Sequence, residues 1–352
     1  MLRRVVAAVL AAVAGLAGLG GPPDAAPEVS QEAVGADVSF PQCPVFTGQP
    51  LLGLPSALPF AVVGVDGGVA ATPNPCLAIE LAWARTATRG GRVDLYVNTA
   101  DPGPASPRWP MSSAGSPGRP YGECLAGDAG PACAYAYGAA IARIDLARAG
   151  LPAPGRATWW LDVEAANTWS GTTAANRAVL EGMTAALHAA GARVGVYAVR
   201  GHWAAIVGTV PADSPLYGLH TWLAGATTRG GAAENCTHAP LTGGGRVDLT
   251  QFGDLALDAD VACTVLHLPG RPTITGTPSL GQRLTAASPG WPTGTRLTYR
   301  WLRDGRPIAG ATGRTHVVTP EDGGTRIAVA VLAVRTGSSR ARVTSAGLLV
   351  SP

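Results

Sequence analysis

The sequence predicts an α/β barrel followed by a small all-β domain, and three observations lead to this fold class. Short strand-like runs alternate with Ala-rich helical stretches over residues 35–268. Polar side chains collect where these runs finish. From Pro272 onward the chain changes to short alternating runs without Cys. Strand–helix alternation favours an irregular TIM-like (β/α) barrel or an open parallel sheet, and both carry their chemistry at the C-terminal ends of the strands.

Composition excludes several classes of function. The chain has 352 residues, enough for two domains, and all 26 of its basic residues are Arg. The missing Lys excludes a Lys Schiff base and a Walker-type phosphate loop, because both need the Lys amine. The sequence also has no Gly-x-Ser-x-Gly elbow, which disfavours a serine hydrolase.

The N-terminal segment resembles a secretory signal peptide. Arg3 and Arg4 precede the apolar run from Val5 to Leu19, and small residues follow. This run is shorter than the roughly 20 residues of a membrane span. We predict a signal peptide over residues 1–26 and a secreted chain with no transmembrane anchor after processing. An uncleaved N-terminal anchor is the alternative.

The cysteine content fits an oxidising, extracellular compartment. The six residues are Cys43, Cys76, Cys124, Cys133, Cys236 and Cys263. Six cysteines allow 15 pairings, and proximity along the chain favours 43–76, 124–133 and 236–263. A zinc site is the alternative, but no CxxC or HxxxH spacing supports it, and no metal or cofactor is predicted.

Seven strands and three helices are predicted for the large domain from β-branched and aromatic runs and from helical periodicity. The strands are Gly35–Phe40, Phe60–Asp66, Arg92–Asn98, Thr158–Glu164, Arg193–Val199, Gly218–Ala224 and Arg246–Phe252. The helices are Cys76–Thr88, Ala134–Ala149 and Thr173–Ala190. Polar or aromatic side chains at the strand ends are candidate substrate-binding residues: Asp37, Asp66, Asn98, Tyr197, Trp222 and Gln251.

The strongest chemical signal is a pair of carboxylates on the fourth strand. Asp162 and Glu164 are two residues apart, so on a strand they face the same side, with Cα atoms about 7 Å apart. Repulsion between them should hold a proton on one carboxyl to higher pH. Glycoside cleavage needs this combination, an acid for the leaving oxygen and a base or nucleophile at the sugar carbon. Two solvated acids or a divalent-metal site are the alternatives.

In their order along the chain, these residues resemble the family-25 glycoside hydrolases, the secreted muramidases. The resemblance rests on Asp37-Val-Ser-Phe-Pro-Gln42, Asp162-Val-Glu164, Gly195-Val-Tyr197, Trp222-Leu-Ala224, Gln251-Phe252 and Asp258-Ala-Asp260. It implies cleavage of the β-1,4 bond between N-acetylmuramic acid and N-acetylglucosamine in peptidoglycan. It casts Glu164 as the general acid and Asp162 as the residue that orients the acetamido group or stabilises the intermediate. It also adds Asp258 and Asp260 to the substrate-binding candidates. The branch is divergent, since Phe252 stands where the family has Tyr.

The C-terminal residues 272–352 predict a β-sandwich. Runs such as Leu297–Trp301 and Ile327–Val331 alternate with a period of two, and Trp301 is the expected core aromatic. The run from Tyr299 to Ile308 resembles bacterial Ig-like modules. Residues 271–352 carry 11 Arg against 3 acidic residues, a net charge of +8.

Two functions follow from these patterns. The first is a secreted, wall-associated peptidoglycan hydrolase whose basic module binds an anionic wall polymer. In the second, a barrel of the same kind serves as a non-catalytic envelope-binding protein. The Arg-rich composition has a simpler alternative, in which it only confers solubility. Nucleic acid is not an expected partner, because no aromatic stacking platform accompanies the basic residues.

Overall fold

The computed structural model describes residues 33–43, 54–170, 172–253, 258–265, 271–335 and 338–351. The predicted signal peptide, residues 1–26, and the linker predicted at residues 267–270 lie outside these residues. Within the described ranges, no helix is both long enough and apolar enough to cross a membrane.

Eight strands close into a barrel, which confirms the predicted fold class and excludes the open sheet. They are β1 (Val34–Val38), β2 (Phe60–Gly64), β3 (Arg92–Asn98), β4 (Thr158–Asp162), β5 (Arg193–Val199), β6 (His220–Ala226), β7 (Val247–Phe252) and β8 (Ala259–Ala262). Strands β1 to β7 run parallel to one another, and β8 closes the barrel by pairing antiparallel with both β7 and β1. The predicted strands did not include β8, because four residues are too few to display a period.

Five helices accompany the barrel strands: α1 (Leu77–Ala87), α2 (Pro131–Ala149), α3 (Thr173–Ala189), α4 (Arg200–Ile206) and α5 (Arg229–Asn235). The three predicted helices are confirmed to within three residues. Helix α2 begins three residues early because Pro131 has no N–H to leave unpaired in the first turn. It ends at Gly150, whose φ of 56° closes the helix in the left-handed region.

Strand alternation separates the barrel interior from the layer under the helices. On β4, Trp159 and Leu161 belong to the outer core, whereas Trp160 lies in a separate interior cluster with Tyr197 and Trp222. Asp162 shares the inward parity of Trp160. The predicted strand Thr158–Glu164 ends two residues early, at Asp162, so Glu164 lies just beyond β4.

Three disulfides link the barrel loops, and all three predicted pairings are confirmed. Cys43 bonds to Cys76 at the start of α1. Cys124 bonds to Cys133 within α2, which closes the long segment after β3. Cys236, after α5, bonds to Cys263, after β8. Together the bridges constrain loops at three places around the barrel.

The C-terminal residues form two sheets around one core. The first contains β10 (Thr273–Thr275), β11 (Arg283–Ala287) and β14 (Thr315–Val317). The second contains β12 (Arg296–Arg303), β13 (Arg306–Pro307), β15 (Arg326–Val334), β17 (Ala341–Thr344) and β18 (Leu348–Leu349). Leu284 from the first sheet packs with fully buried Trp301 from the second, so Trp301 is the core aromatic as predicted. The Ig-like relationship stays a prediction.

A short parallel pairing connects the end of the barrel with the C-terminal sheets. Strand β9 (Thr264–Val265) follows β8, and it pairs with β16 (Ser338–Ser339), which precedes β17. Because β8 is antiparallel to the other strands, its last residue lies at the end of the barrel where β1 to β7 begin. The sandwich is therefore attached at the end of the barrel opposite the C-terminal ends of β1 to β7.

Gly195 lets β5 approach the indole of Trp160. A Cβ atom at Gly195 would lie 2.3 Å from Cζ3 of Trp160, inside van der Waals contact. We expect Gly195→Ala to lower the free energy of unfolding by about 1–3 kcal/mol, because the fully buried indole must shift. Urea denaturation measures the change. Gly201→Ala is the matched control, since a Cβ there meets no atom within 4 Å. Equal stability of the two variants would contradict the close approach.

Candidate active site

A small acidic pocket lies at the C-terminal ends of the parallel strands. It has a volume of about 130 Å³. Its lining is Asp37, Tyr96, Asp162, Glu164, Tyr197, Trp222, Gln251 and Asp258. All except Tyr96 were predicted as site residues from the sequence. The barrel thus brings together side chains that are more than 200 positions apart in the chain.

Asp162 is buried at the end of β4 and only half of its carboxylate is bonded. Its Oδ2 accepts a hydrogen bond of 2.6 Å from the Asn98 amide, whereas Oδ1 has no donor among the described residues. Burial raises the pKa of Asp162 well above its usual range, and the adjacent charge of Glu164 raises it further. The free oxygen belongs to a pocket-lining residue, so it is a candidate contact for a ligand.

Glu164 lies two residues beyond Asp162 and is more exposed than Asp162. The turn that carries it is held by the Trp169 indole N–H, which donates a 2.7 Å hydrogen bond to the Glu164 carbonyl. Burial raises the pKa of the Glu164 carboxyl, His202 opposes this shift and Asp258 adds to it. At moderately acidic pH, a protonated carboxyl can therefore stand beside the pocket.

A second group of acids lies across the pocket and is joined by hydrogen bonds. The Tyr197 hydroxyl donates to Gln251 Oε1 at 2.7 Å, and Gln251 Nε2 donates to Asp37 Oδ2 at 3.1 Å. Burial and the charge of Asp258 raise the pKa of Asp37 to about 7. Asp260 faces Asp37, and burial followed by this neighbour's charge raises its pKa well above the usual range. The two carboxyls can thus share one proton.

Aromatic rings form the wall between the two acidic groups. The ring of Trp222 packs edge-on against Tyr197 at 4.5 Å and against Trp160 and Tyr96 at 6.0 and 6.2 Å between centroids. Such rings present flat apolar faces that suit a sugar ring. Tyr96 was missed as a binding candidate. Its inward parity on β3, two residues before Asn98, was the available signal.

Three predicted substrate contacts lie behind the pocket lining instead. Asp66 has no exposed surface and accepts hydrogen bonds from the Asn98 backbone N–H and from Arg148, each at 3.1 Å. Asn98 uses its side chain to hold Asp162. Asp260 is fully buried and accepts 2.8 Å from the Trp222 indole. These residues support lining side chains, because the barrel registers turn them toward neighbouring strands rather than into the opening.

The buried Asp66 belongs to a further acidic pair with Asp145 on α2. Burial raises the pKa of Asp66 to about 7, although the charge of Arg148 opposes the shift. Burial and the charge of Asp66 raise the pKa of Asp145 well above its usual range. Arg148 also donates to the Ala71 carbonyl. This pair stands behind Asn98 and therefore behind Asp162.

No group of three or more His, Cys, Asp or Glu side chains in the described part of the chain is arranged to hold a metal ion. In the pocket, Asp162 and Asp37 accept hydrogen bonds from the side-chain amides of Asn98 and Gln251. The arrangement favours proton chemistry between carboxyl groups.

One family model matches the central part of the chain. Residues 155–237 match the model described as Lysozyme-like protein 1. The matched segment covers less than half of the chain, but it includes Asp162, Glu164, Tyr197 and Trp222. The predicted resemblance to lysozyme-like proteins is confirmed over this segment, and the match supports a glycoside hydrolase of the lysozyme type.

Comparison with solved structures finds weak similarity over about two thirds of the chain. A muramidase from Trichobolus zukalii is 18% identical with a TM-score of 0.41, over 65% of this chain and 93% of that one. A bacterial lysozyme from Streptomyces coelicolor is 16% identical with a TM-score of 0.42, over 66% and 93%. No curated protein matches at a significant level. The family match is therefore the comparison that bears on function.

The hydrogen bond from the Asn98 amide to the buried Asp162 should stabilise the folded protein. In Asn98→Asp, two buried carboxyls face each other and one of them must keep a proton, which becomes more costly at pH 8 than at pH 5 because both carboxyls are ionised in the unfolded chain. We expect this variant to lose more unfolding free energy at pH 8 than at pH 5, by about 1–3 kcal/mol. Urea denaturation at both pH values measures this difference. Asn235→Asp, on α5, is the control for the charge change, and equal losses at both pH values would contradict the contact.

The buried carboxyls predict that stability falls as pH rises. Asp37 and Asp66 have folded-state pKa values of about 7, above the usual 3.8, so their contribution is complete below about pH 4 and lost as pH rises through 7. The lowered pKa values of Asp248 and Asp322 act only at lower pH. We expect the urea midpoint to drop between pH 5 and 8. Asp37→Asn should make this drop shallower; an unchanged slope would contradict the role of Asp37.

Proposed function

We propose that this protein is an exported glycoside hydrolase of the muramidase type. Its substrate is the peptidoglycan glycan strand, and it cleaves the β-1,4 bond between N-acetylmuramic acid and N-acetylglucosamine. The observation that carries this proposal is the pair of carboxyl groups at the end of β4: Asp162 is the last residue of the strand, Glu164 follows two residues later, and both line one pocket. The family match over the same segment supports it.

In the proposed mechanism, Glu164 is the general acid. Its raised pKa keeps a proton available, and its greater exposure lets it reach a bound glycosidic oxygen. The proton moves to that oxygen as the bond to the anomeric carbon breaks. Water then supplies a hydroxyl to the anomeric carbon and returns a proton to the carboxyl pair.

Asp162 stabilises the positive charge that develops on the cleaved sugar or orients its acetamido group. Its Oδ2 is fixed by Asn98, and its unbonded Oδ1 is free to accept an N–H or face the anomeric carbon. A bound sugar completes the hydrogen bonding of a buried oxygen that otherwise lacks a donor, which contributes to binding.

The opposite side of the pocket positions the substrate. Asp37 and Gln251 present polar atoms, and the rings of Tyr197 and Trp222 supply an apolar wall. Asp258 adds a further carboxyl at the rim. Several sugar hydroxyls can be bound this way while one ring face packs against the indole.

The proposed location is the cell exterior, in association with the wall. Three disulfides among the described residues fit an oxidising compartment. The net charge of +8 on residues 271–352 suits an anionic wall polymer. Wall association would hold the barrel near its glycan substrate.

Release of reducing ends from purified cell walls tests the enzyme. We expect Glu164→Gln to reduce the rate at least 100-fold, since the amide cannot supply the proton. Glu234→Gln, at an exposed position on α5, is the matched control and should keep wild-type activity. If wild type and Glu164→Gln both release nothing while both sediment with walls, the non-catalytic envelope-binding function replaces this proposal.

The pH profile gives an independent test of the acid. Because the pKa of Glu164 is raised, the protonated form persists above pH 4.5 and is lost as pH rises. We expect kcat to fall on the alkaline side through the raised Glu164 pKa. Measurement on one soluble glycan oligomer between pH 4 and 9 checks this, and a kcat that rises steadily to pH 9 would exclude a carboxylic acid as proton donor.

A further inference from the structure

A large groove lies away from the acidic pocket, between the barrel and the sandwich. Its volume is about 850 Å³. One wall is the segment 238–247, which leads from α5 into the start of β7, and the other is the outer face of the sheet that contains β12, β15 and β17. The start of β7 is the barrel end opposite the catalytic pocket. A ligand in this groove would leave the proposed active site open.

Basic side chains line both walls of the groove, and its free positive charge comes from the sandwich. Arg300, Arg340 and Arg342 line it from the sandwich, and Arg246 and His238 line it from the barrel. None of the described lining residues is acidic. Arg246 is already paired with Asp248 at 2.6 Å, whereas the three sandwich arginines are exposed and have no carboxylate partner among the described residues. Three uncompensated guanidinium groups therefore face one concave space.

Strand register sets the spacing of these charges. Arg300 lies opposite Ala330 on β15, and Arg342 lies opposite Leu332 on the other side of the same strand. The two arginines are thus two strands apart, roughly 10 Å, and offset by two residues, roughly 7 Å. Ala330 and Leu332 form a low apolar floor between them. Charges spaced along a trough in this way suit a linear polyanion better than a single small anion.

We propose that this groove binds a linear phosphodiester polymer. Guanidinium groups pair with phosphate through two parallel hydrogen bonds, and their charge is retained at any pH of interest. A bilayer of anionic lipid offers the same phosphodiesters, but a flat surface cannot reach arginines on the floor and walls of a groove between two domains. The proposal rests on the wall association under the proposed function and gives that association a specific site. The three sandwich arginines bind the phosphates, and segment 238–247 of the barrel forms the facing wall.

Binding of poly(glycerol phosphate) to the full chain, followed by calorimetry at several salt concentrations, tests this site. We expect a triple variant, Arg300→Gln, Arg340→Gln and Arg342→Gln, to bind at least tenfold more weakly with a shallower salt dependence. The matched control changes three exposed arginines outside the groove, Arg271→Gln, Arg283→Gln and Arg306→Gln, and removes the same charge. It should lose less than threefold.

Three outcomes would contradict the proposed binding of a phosphodiester polymer in this groove. Equal weakening by both triple variants would mean that net charge alone attracts the polymer. No binding of wild type to poly(glycerol phosphate) would exclude this ligand class. Tighter binding to phosphatidylglycerol vesicles than to the polymer, lost in the groove variant, would assign the site to a membrane instead. The assay contains no glycan strand, so its failure is separate from failure of the proposed hydrolase.

Discussion

The chemistry of this protein depends on the burial of carboxyl groups inside a closed barrel. A carboxylate that leaves water without a cation loses its hydration, so its protonated form is favoured. Asp162, Asp37 and Asp260 all experience this effect, and each has a raised pKa with burial as the leading cause. An open sheet would leave these ends in water and would supply no such shift. Closure by β8 is therefore a requirement of the chemistry as well as of the fold.

Neutral donors, rather than cations, hold the pocket acids in place. Asn98, Gln251 and the Trp222 indole each donate to one carboxyl group. An Arg in these positions would have lowered the pKa of its partner and favoured the ionised form of Asp162, Asp37 or Asp260. The buried arginine contact occurs one layer back, where Arg148 bonds Asp66. The pocket is thus shaped to retain protons.

The two ends of the barrel have opposite electrostatic character. The C-terminal ends of the parallel strands carry the acids, and the other end meets the arginine-rich sandwich through β9 and β16. Such separation prevents the basic module from neutralising the acidic pocket, because charges more than about 10 Å apart in salt solution are largely screened.

Local patterns in the sequence determined the paired carboxyls, the disulfides and the helix ends of this protein. The spacing of two residues was sufficient to predict that Asp162 and Glu164 lie together, since side-chain direction along an extended segment repeats every two residues, and both line the same pocket although β4 ends at Asp162. Chain proximity was sufficient for all three disulfides, because short loops meet most readily. Gly150 and Gly191 likewise indicated where α2 and α3 end, since each glycine lies just after its helix. Each of these features depends only on neighbours along the chain.

Only the tertiary structure decided which distant groups face each other. Asp66 bonds to Arg148 on α2 and does not line the pocket, so its position depends on how α2 packs against the barrel. Tyr96 lines the pocket because of the register between β2, β3 and β4. The antiparallel β8 and the groove between the domains are likewise set by pairings between remote segments. These outcomes are cooperative properties of barrel closure, because one residue of register change would turn every side chain of a strand to the other face.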